Sequence, residues 1–202
     1  AADVAVIGFG TTPGTGSVND LAGARRLVRR AARLADLVVV SMHAGAEGAD
    51  RQHVTRGVER YRGENRGDVV RFAHAVVDAG ADLVVGHGPR VLRGMEWYRG
   101  RLIAYSLGSL AGYRVVDRRG PLAVGGILRV TLGSDGLFES GRLVATRLAA
   151  PGRPVLDASE TAHGVVRSLS LEDFGTRAVG TFAPRNIRRG ETLRRFMNPP
   201  SR

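Results

Sequence analysis

The chain of 202 residues contains no cysteine and no lysine. Without cysteine there are no disulfides and no thiolate metal sites, so any bound metal would need nitrogen and oxygen ligands. The absence does not choose a compartment. Long apolar runs are missing as well: none approaches the roughly 18–20 residues that span a bilayer. Aromatic residues are few, at six Phe, four Tyr and one Trp, which leaves little for base stacking. The opening "AADVAVIGFG" has no basic segment followed by an apolar one and a cleavage site, so no signal peptide is read there. It also lacks a Met and starts inside a strand-like run, so the chain is expected to continue upstream.

What is present is arginine. All 30 basic residues are Arg against 19 acidic ones, a net charge of +11. Two explanations compete: a surface for phosphates or nucleic acid, or the codon bias of a GC-rich genome. The arginines are spread along the chain, and only "RRLVRR" (25–30) and "RNIRRGETLRR" (185–195) are dense. A nucleic-acid partner is therefore not expected. The length is enough for one substantial domain with its own core.

The pattern along the chain is that of an α/β protein. "VAVIGFG" (Val4–Gly10) is an apolar run ending in Gly and reads as a buried strand. "TTPGTGSVND" is a loop, with Asn19 or Asp20 placed to cap a helix. In "LAGARRLVRRAARLA", Leu21, Ala24, Leu27, Val28, Ala31 and Leu34 recur at helical spacing, which predicts an amphipathic helix with its arginines in solvent. "DLVVVSMH" is a second strand. Residues 44–66 are polar and Gly-rich, a loop long enough to be functional or disordered. "GDVVRFAHAVVDAG" predicts a helix with Val69, Phe72, Ala73, Val76 and Val77 on one face and Gly80 as its stop. "ADLVVGH" is a third strand. This alternation predicts a largely parallel sheet with helical cover, whose sites lie beyond the carboxyl ends of the strands.

After residue 93 the pattern becomes antiparallel. A hairpin is predicted around Arg99-Gly100, and a second pair around "GSDG". "SETAHGVVRSLS" (Ser159–Ser170) predicts a helix with Ser159 as its cap. Residues 1–183 are expected to form the C-terminal part of one domain, followed by an Arg- and Pro-containing tail over 184–202 that is expected to be poorly ordered.

Two strands end on histidine, His43 in "ADLVVVSMH" and His87 in "ADLVVGHGPR". A single His before a glycine loop reads as a structural hydrogen-bonder. Two at neighbouring strand ends can converge on one ion through neutral imidazole nitrogens. Gly86 and Gly88 free the backbone around His87, and Pro89 stiffens the exit. His74 and His163 fall on predicted helices and His53 in the long loop, so their claims are weaker. Glu47 and Glu64, also in that loop, are candidates for substrate contact against the plainer reading of solvated charge. Asp36 and Asp82 open strands and are expected to fix helix-to-strand turns. Trp97 and Tyr98 are expected to pack the hairpin. No G-x-S-x-G or P-loop motif occurs.

"ADLVVVSMHAGAEG", followed by "YRGENRGDVVRFAHAVVDAGADLVVGHGPRVLRGMEWYRGRLIAYSLGSL", resembles the bacterial capsule-synthesis CapA family. That family is linked to poly-γ-glutamate capsules and has a calcineurin-like metallophosphoesterase fold. The resemblance runs from about Val4 to Tyr113, is densest over 66–109, and reaches the C-terminal half of the family pattern. It implies a metallophosphoesterase-like α/β sandwich. It further implies that His43 and His87 ligate an ion, Mn, Fe or Zn, of a two-metal site that activates water for attack on a phosphoester. Two positions depart from the pattern: Arg90 stands where "GHxPH" ends in His, and Ser109 where "YSLGNF" has Asn. A guanidinium cannot ligate a cation and repels one, but it can hold a phosphate or carboxylate. The upstream ligand segments of the family, a Gly-Asp turn, an Asn-Leu-Glu and an Asn-Asn-His, do not occur in residues 1–202.

The expected function is therefore that of a CapA-like capsule protein, acting as a metal-dependent hydrolase on an anionic polymer or phosphoester. His43 and His87 are the expected metal ligands, and Arg90, Glu47, Glu64 and Ser109 the expected substrate contacts. The competing reading is a polyanion-binding or assembly protein that keeps the fold without the metal. A missing N-terminal half or partner subunit is expected to complete the domain. Without it, the half-sheet should expose an apolar edge and face and be marginally soluble. The family resemblance suggests the cell envelope.

Overall fold

The computed structural model describes residues 2–12, 16–113 and 118–179. In chain order the elements are β1 (Val4–Gly10), β2 (Gly16–Ser17), α1 (Leu21–Ala31), β3 (Leu37–His43), β4 (Arg60–Tyr61), β5 (Glu64–Asn65), α2 (Val69–Val77) and β6 (Leu83–His87). Next come β7 (Met95–Tyr98), β8 (Arg101–Ala104), β9 (Val124–Leu132), β10 (Phe138–Ala149), β11 (Arg153–Leu156) and α3 (Thr161–Phe174). The expected α/β architecture is present. A six-stranded sheet has the order β2-β1-β3-β6-β8-β7, parallel except where β7 pairs with β8. A three-stranded antiparallel sheet, β11-β10-β9, accounts for the second predicted pair.

The period-two alternation of the strands divides the apolar residues between two cores. Val38, Val40 and Met42 of β3 and Val84 of β6 join Phe72, Ala73 and Val76 of α2 and Ala24 and Val28 of α1. The opposite face of the main sheet gives Leu83, Met95, Leu102 and Ala104, which meet Leu143 and Ala145 of β10 and Ala162 and Val166 of α3. Side chains such as Phe72 and Met42 are fully buried, worth about 1.5–3 kcal/mol each. Asp20 caps α1 by accepting from Gly23 N at 2.9 Å, and Asp68 caps α2 from Arg71 N at 3.0 Å.

The repeated "ADLVV" does the same structural work twice. Asp36 Oδ2 accepts from Asp3 N at 2.8 Å, at the start of the neighbouring β1. Asp82 Oδ2 accepts from Val38 N at 2.8 Å, at the start of the neighbouring β3. Each carboxylate ties its own strand to the one before it, as expected for turn-fixing residues.

Four expectations need correction. First, β1 is half-buried: Phe9 faces the core, but Val4 and Val6 point from the other face and are 52% and 69% exposed. Among the described residues the three-stranded sheet does not extend over this side, and β2 pairs with β1 only at Phe9 and Gly10, with no strand along the rest of that edge. Second, α1 ends at Ala31, because Arg33 N and Leu34 N bond three residues back, to Arg30 O and Ala31 O. Leu27 and Leu34, on the apolar stripe of the amphipathic pattern, are exposed and border an open groove of about 400 Å³ beside β1. Third, Ser159 does not cap α3. Asp157 takes that part, accepting from Ser159 N and Thr161 N. Fourth, residues 44–66 are not one continuous loop: they contain the β4–β5 hairpin and are tied down by the Glu59–Arg93 pair. The expected tail over 184–202 lies outside the described residues.

Candidate functional site

His43 and His87 are the last residues of adjacent parallel strands and are direct register partners. Parallel pairing sends both side chains to the same face, here the one opposite α1 and α2. Their Nδ1 atoms are 3.1 Å apart, with the rings near perpendicular at 81°. Two nitrogens each about 2.0–2.1 Å from one zinc-like ion stand about 2.9 Å apart at a right angle and about 3.3 Å at the tetrahedral angle. The observed spacing, which in this structure is a hydrogen bond between the rings, falls between these values, a distance compatible with adjacent positions on one ion. Ser41, two residues before His43 on the same face, lies 2.9 Å from His87 Nε2 through its Oγ. If Nε2 carries the proton and donates to Ser41, Nδ1 keeps its lone pair for the ion.

The electrostatics favour neutral rings. Burial pushes the His43 imidazole below its ordinary value; the Arg66 charge adds to this, Glu47 opposes it, and Arg90 pushes down again. His87 is lowered by burial and then by the charge of His43. Neutral imidazole is the form that binds metals. Among the described residues, however, no group of three or more His, Asp or Glu gathers around an ion position. The described residues thus bring two imidazole nitrogens together without a third candidate ligand gathered with them.

The backbone around His87 leaves no room for side chains. A Cβ at Gly86 would sit against the Tyr105 carbonyl, 2.6 Å from its carbon. Gly88, at φ +120°, lies against Ala44, whose carbonyl oxygen would be 2.9 Å from an added Cβ. The tight turn read from Gly-His-Gly-Pro is therefore a matter of close backbone approach.

Glu47 is nearly buried and sits between two arginines, with Oε1 3.2 Å from Arg66 Nη2 and Oε2 2.8 Å from Arg90 Nε. Arg90 itself is half exposed and adopts φ +65°. Ser109 Oγ donates to the Arg90 carbonyl at 3.3 Å. Glu64, on β5, is exposed and reaches only Arg66 Nη1 at 3.4 Å. The structure thus brings His43 and His87 together and gathers Glu47, Arg90 and Ser109 into one linked group, while Glu64 stays at the rim.

Two neighbours escaped the sequence reading. Ser41 was legible from strand alternation, being two residues from His43. Arg66 gave no signal: it is 7% exposed and also donates from Nε to Gly45 O at 3.1 Å. The remaining histidines are paired elsewhere, outside this group. His74 Nε2 is 3.0 Å from Glu96, His53 Nδ1 2.8 Å from Asp173, and His163 Nε2 2.7 Å from Leu143 O. Trp97 packs edge-on against Phe138 and Tyr98 stacks on His74, as expected for packing residues. No helix among the described residues is long and apolar enough to cross a membrane.

Comparison with known proteins agrees with the motifs. The family described as bacterial capsule synthesis protein PGA_cap matches residues 7–113. The chain is 37% identical over 83 residues to the PGA biosynthesis protein CapA of Bacillus subtilis (strain 168), covering 41% of this chain and 18% of that protein. It is 40% identical over 75 residues to the capsule biosynthesis protein CapA of Bacillus anthracis, covering 37% and 15%. A third relative, the uncharacterized protein y4sH of Sinorhizobium fredii, is 37% identical over 93 residues, covering 46% and 18%. The chain thus spans less than a fifth of the length of the curated relatives it matches. With more than half of its residues inside the family match, the chain belongs to the bacterial capsule synthesis family PGA_cap.

Proposed function

We propose that this chain supplies two ligands of a metal centre in a capsule-synthesis protein acting on an anionic substrate, a phosphoester or a γ-linked polyglutamate. The observation that carries the reading is the His43–His87 register pair, with facing Nδ1 atoms 3.1 Å apart at the carboxyl ends of two parallel strands. His43 and His87 hold Mn, Fe or Zn, and Ser41 orients His87. A bound ion there supplies Lewis-acid stabilisation and an activated water. The other ligands come from polypeptide beyond this chain or from a partner subunit. Arg90 meets the anionic substrate, Ser109 steadies the Arg90 backbone, and Glu47 and Glu64 shape the charge at the mouth. The cell envelope is the proposed place of action, a reading supported by the relatives' names in capsule biosynthesis.

The test is metal analysis of the full-length protein purified without chelator. A stoichiometric ion, and a melting temperature that rises when the ion is restored to stripped protein, is the expected result. No bound Mn, Fe or Zn and no thermal shift overturns the reading. The second reading, a polyanion-binding or assembly protein without catalysis, is favoured by the Glu47–Arg90 pair beside the histidines. It expects poly-γ-glutamate binding that weakens steeply with salt and ignores chelators.

A further inference from the structure

We propose that Arg66, Glu47 and Arg90 form a positioning relay that presents the Arg90 guanidinium as a fixed clamp for an oxyanion of the substrate. The inference rests on the metal-centre reading for what stands beside the clamp, and on this chain's own contacts for the clamp itself. Arg66 is the buried base of the relay. Its Nε is committed to Gly45 O, and its Nη2 lies 3.2 Å from Glu47 Oε1. Glu47 is thereby held with its second oxygen 2.8 Å from Arg90 Nε.

Among the described residues, the Arg90 side chain is paired at one edge, where its Nε lies 2.8 Å from Glu47 Oε2 as an ion pair without hydrogen-bond geometry. The half-exposed side chain has its two Nη groups, the fork that grips phosphate and carboxylate oxygens, left over for a ligand. The backbone is held for this task as well. Arg90 occupies the left-handed region at φ +65°, which residues with side chains rarely adopt, and Ser109 Oγ bonds its carbonyl. Arg90 lies three residues after His87, and its charge bears on His43. Glu47 is therefore a positioning residue rather than a substrate contact, because both of its oxygens face arginines.

The relay predicts an effect opposite in sign to simple electrostatics. Removing the negative charge of Glu47 beside an anion site should tighten anion binding if Glu47 is only background charge. If Glu47 aims Arg90, the same change weakens it. The experiment is titration calorimetry of the full-length protein with inorganic phosphate and, separately, with γ-linked diglutamate, which distinguishes the two sources of oxyanion. Arg90→Gln is expected to raise Kd for the bound probe by about tenfold or more, and Arg90→Lys by less, since it keeps the charge and loses the fork. Glu47→Gln is expected to raise Kd several-fold, on the order of 3–10. Glu47→Asp keeps the charge, draws Arg90 back, and is expected to weaken binding too, which covers a Glu47→Gln protein that fails to fold. Tighter binding in Glu47→Gln, or wild-type binding in Glu47→Asp, overturns the relay. Wild-type binding in Arg90→Gln overturns the clamp even if one ion per chain is bound. Arg90-dependent phosphate binding by a full-length protein that neither carries Mn, Fe or Zn nor is stabilised by them supports the clamp and overturns the metal centre instead.

Discussion

Replacing Glu59 by Gln while keeping Arg93 isolates a buried charge. Arg93 is 1% exposed and donates from Nη1 to Glu59 Oε1 at 2.8 Å and from Nη2 to Oε2 at 2.7 Å. Its Nε donates to Arg51 O at 2.8 Å, and Glu59 Oε2 also accepts from Ala46 N at 2.8 Å. The pair ties the start of β7 to the loop that carries Glu47. With Gln at 59 the guanidinium stays buried without a counter-charge, a loss of about 3–5 kcal/mol. Total stability is on the order of 5–15 kcal/mol, so the loss is a large share of it. Urea unfolding should show a lower midpoint at unchanged slope, and melting should fall by roughly 6–20 °C. Glu59→Leu combined with Arg93→Met removes both charges and should recover most of the loss, because the pair's desolvation penalty disappears with it. A single-variant loss under about 1 kcal/mol, or a double variant as unstable as the single, would refute the reasoning.

The same structure supports three further perturbations. Burial pushes the Glu96 carboxyl up, but hydrogen bonds from His74 and Tyr105, and the charges of His74 and Arg177, outweigh it and hold the group below its ordinary value. The unfolded chain therefore takes up this proton first as pH falls. Glu96 contributes its full stabilisation above the ordinary glutamate value of about 4.3 and loses it as pH falls from there through the lower folded value. Glu96→Gln should flatten the acid limb of a stability–pH curve, and an unchanged limb counts against the assignment. Gly86→Ala should destabilise by about 3 kcal/mol or more, since its Cβ meets the Tyr105 backbone rather than a movable side chain, and thermal melting reads it directly. Val6→Lys, at a 69% exposed position on the uncovered face of β1, should raise the soluble yield of this chain expressed alone without lowering its melting temperature. A wild-type chain that is already a monodisperse, cooperatively melting monomer by light scattering and calorimetry contradicts the exposed-face argument.

The parallel core was legible because its signals are local and repeated. "ADLVV" twice, each closing on His, marked two buried strands, and strand order then brought His43 and His87 into register. The Arg99-Gly100 hairpin was legible for the same reason: both residues have positive φ, at 50° and 76°, the requirement of a type I′ turn. Tyr-Arg-Gly recurs at 61–63, with φ 48° and 83° at Arg62 and Gly63, and makes the β4–β5 hairpin inside a segment whose composition reads as an open loop. In both hairpins the Arg guanidinium lies over the preceding Tyr ring, at 5.3 and 5.6 Å. That turn could have been found by comparing the two tripeptides.

What stayed hidden depends on distance along the chain. Arg66 reaches Glu47 across 19 positions, and Arg93 reaches Glu59 across 34; no period or spacing announces either pair. The Glu96–His74–Tyr105 cluster joins α2 to the edge of the sheet through one buried carboxylate, with Tyr105 Oη donating at 2.7 Å. The error over Leu27 and Leu34 has a plain cause. Helical periodicity shows which residues could face a core, not how far that core extends, and here it stops at the open edge of β1.

The most direct test of the account is calorimetric titration of Zn²⁺ or Mn²⁺ into chelator-stripped full-length protein, repeated with His43→Ala, His87→Ala and Ser41→Ala. Saturable binding is expected in the wild type, with loss of that binding when either histidine is removed and a drop of about 10–100-fold in affinity when only Ser41 is changed. Binding that is absent in the wild type, or that survives in both histidine variants, would contradict it.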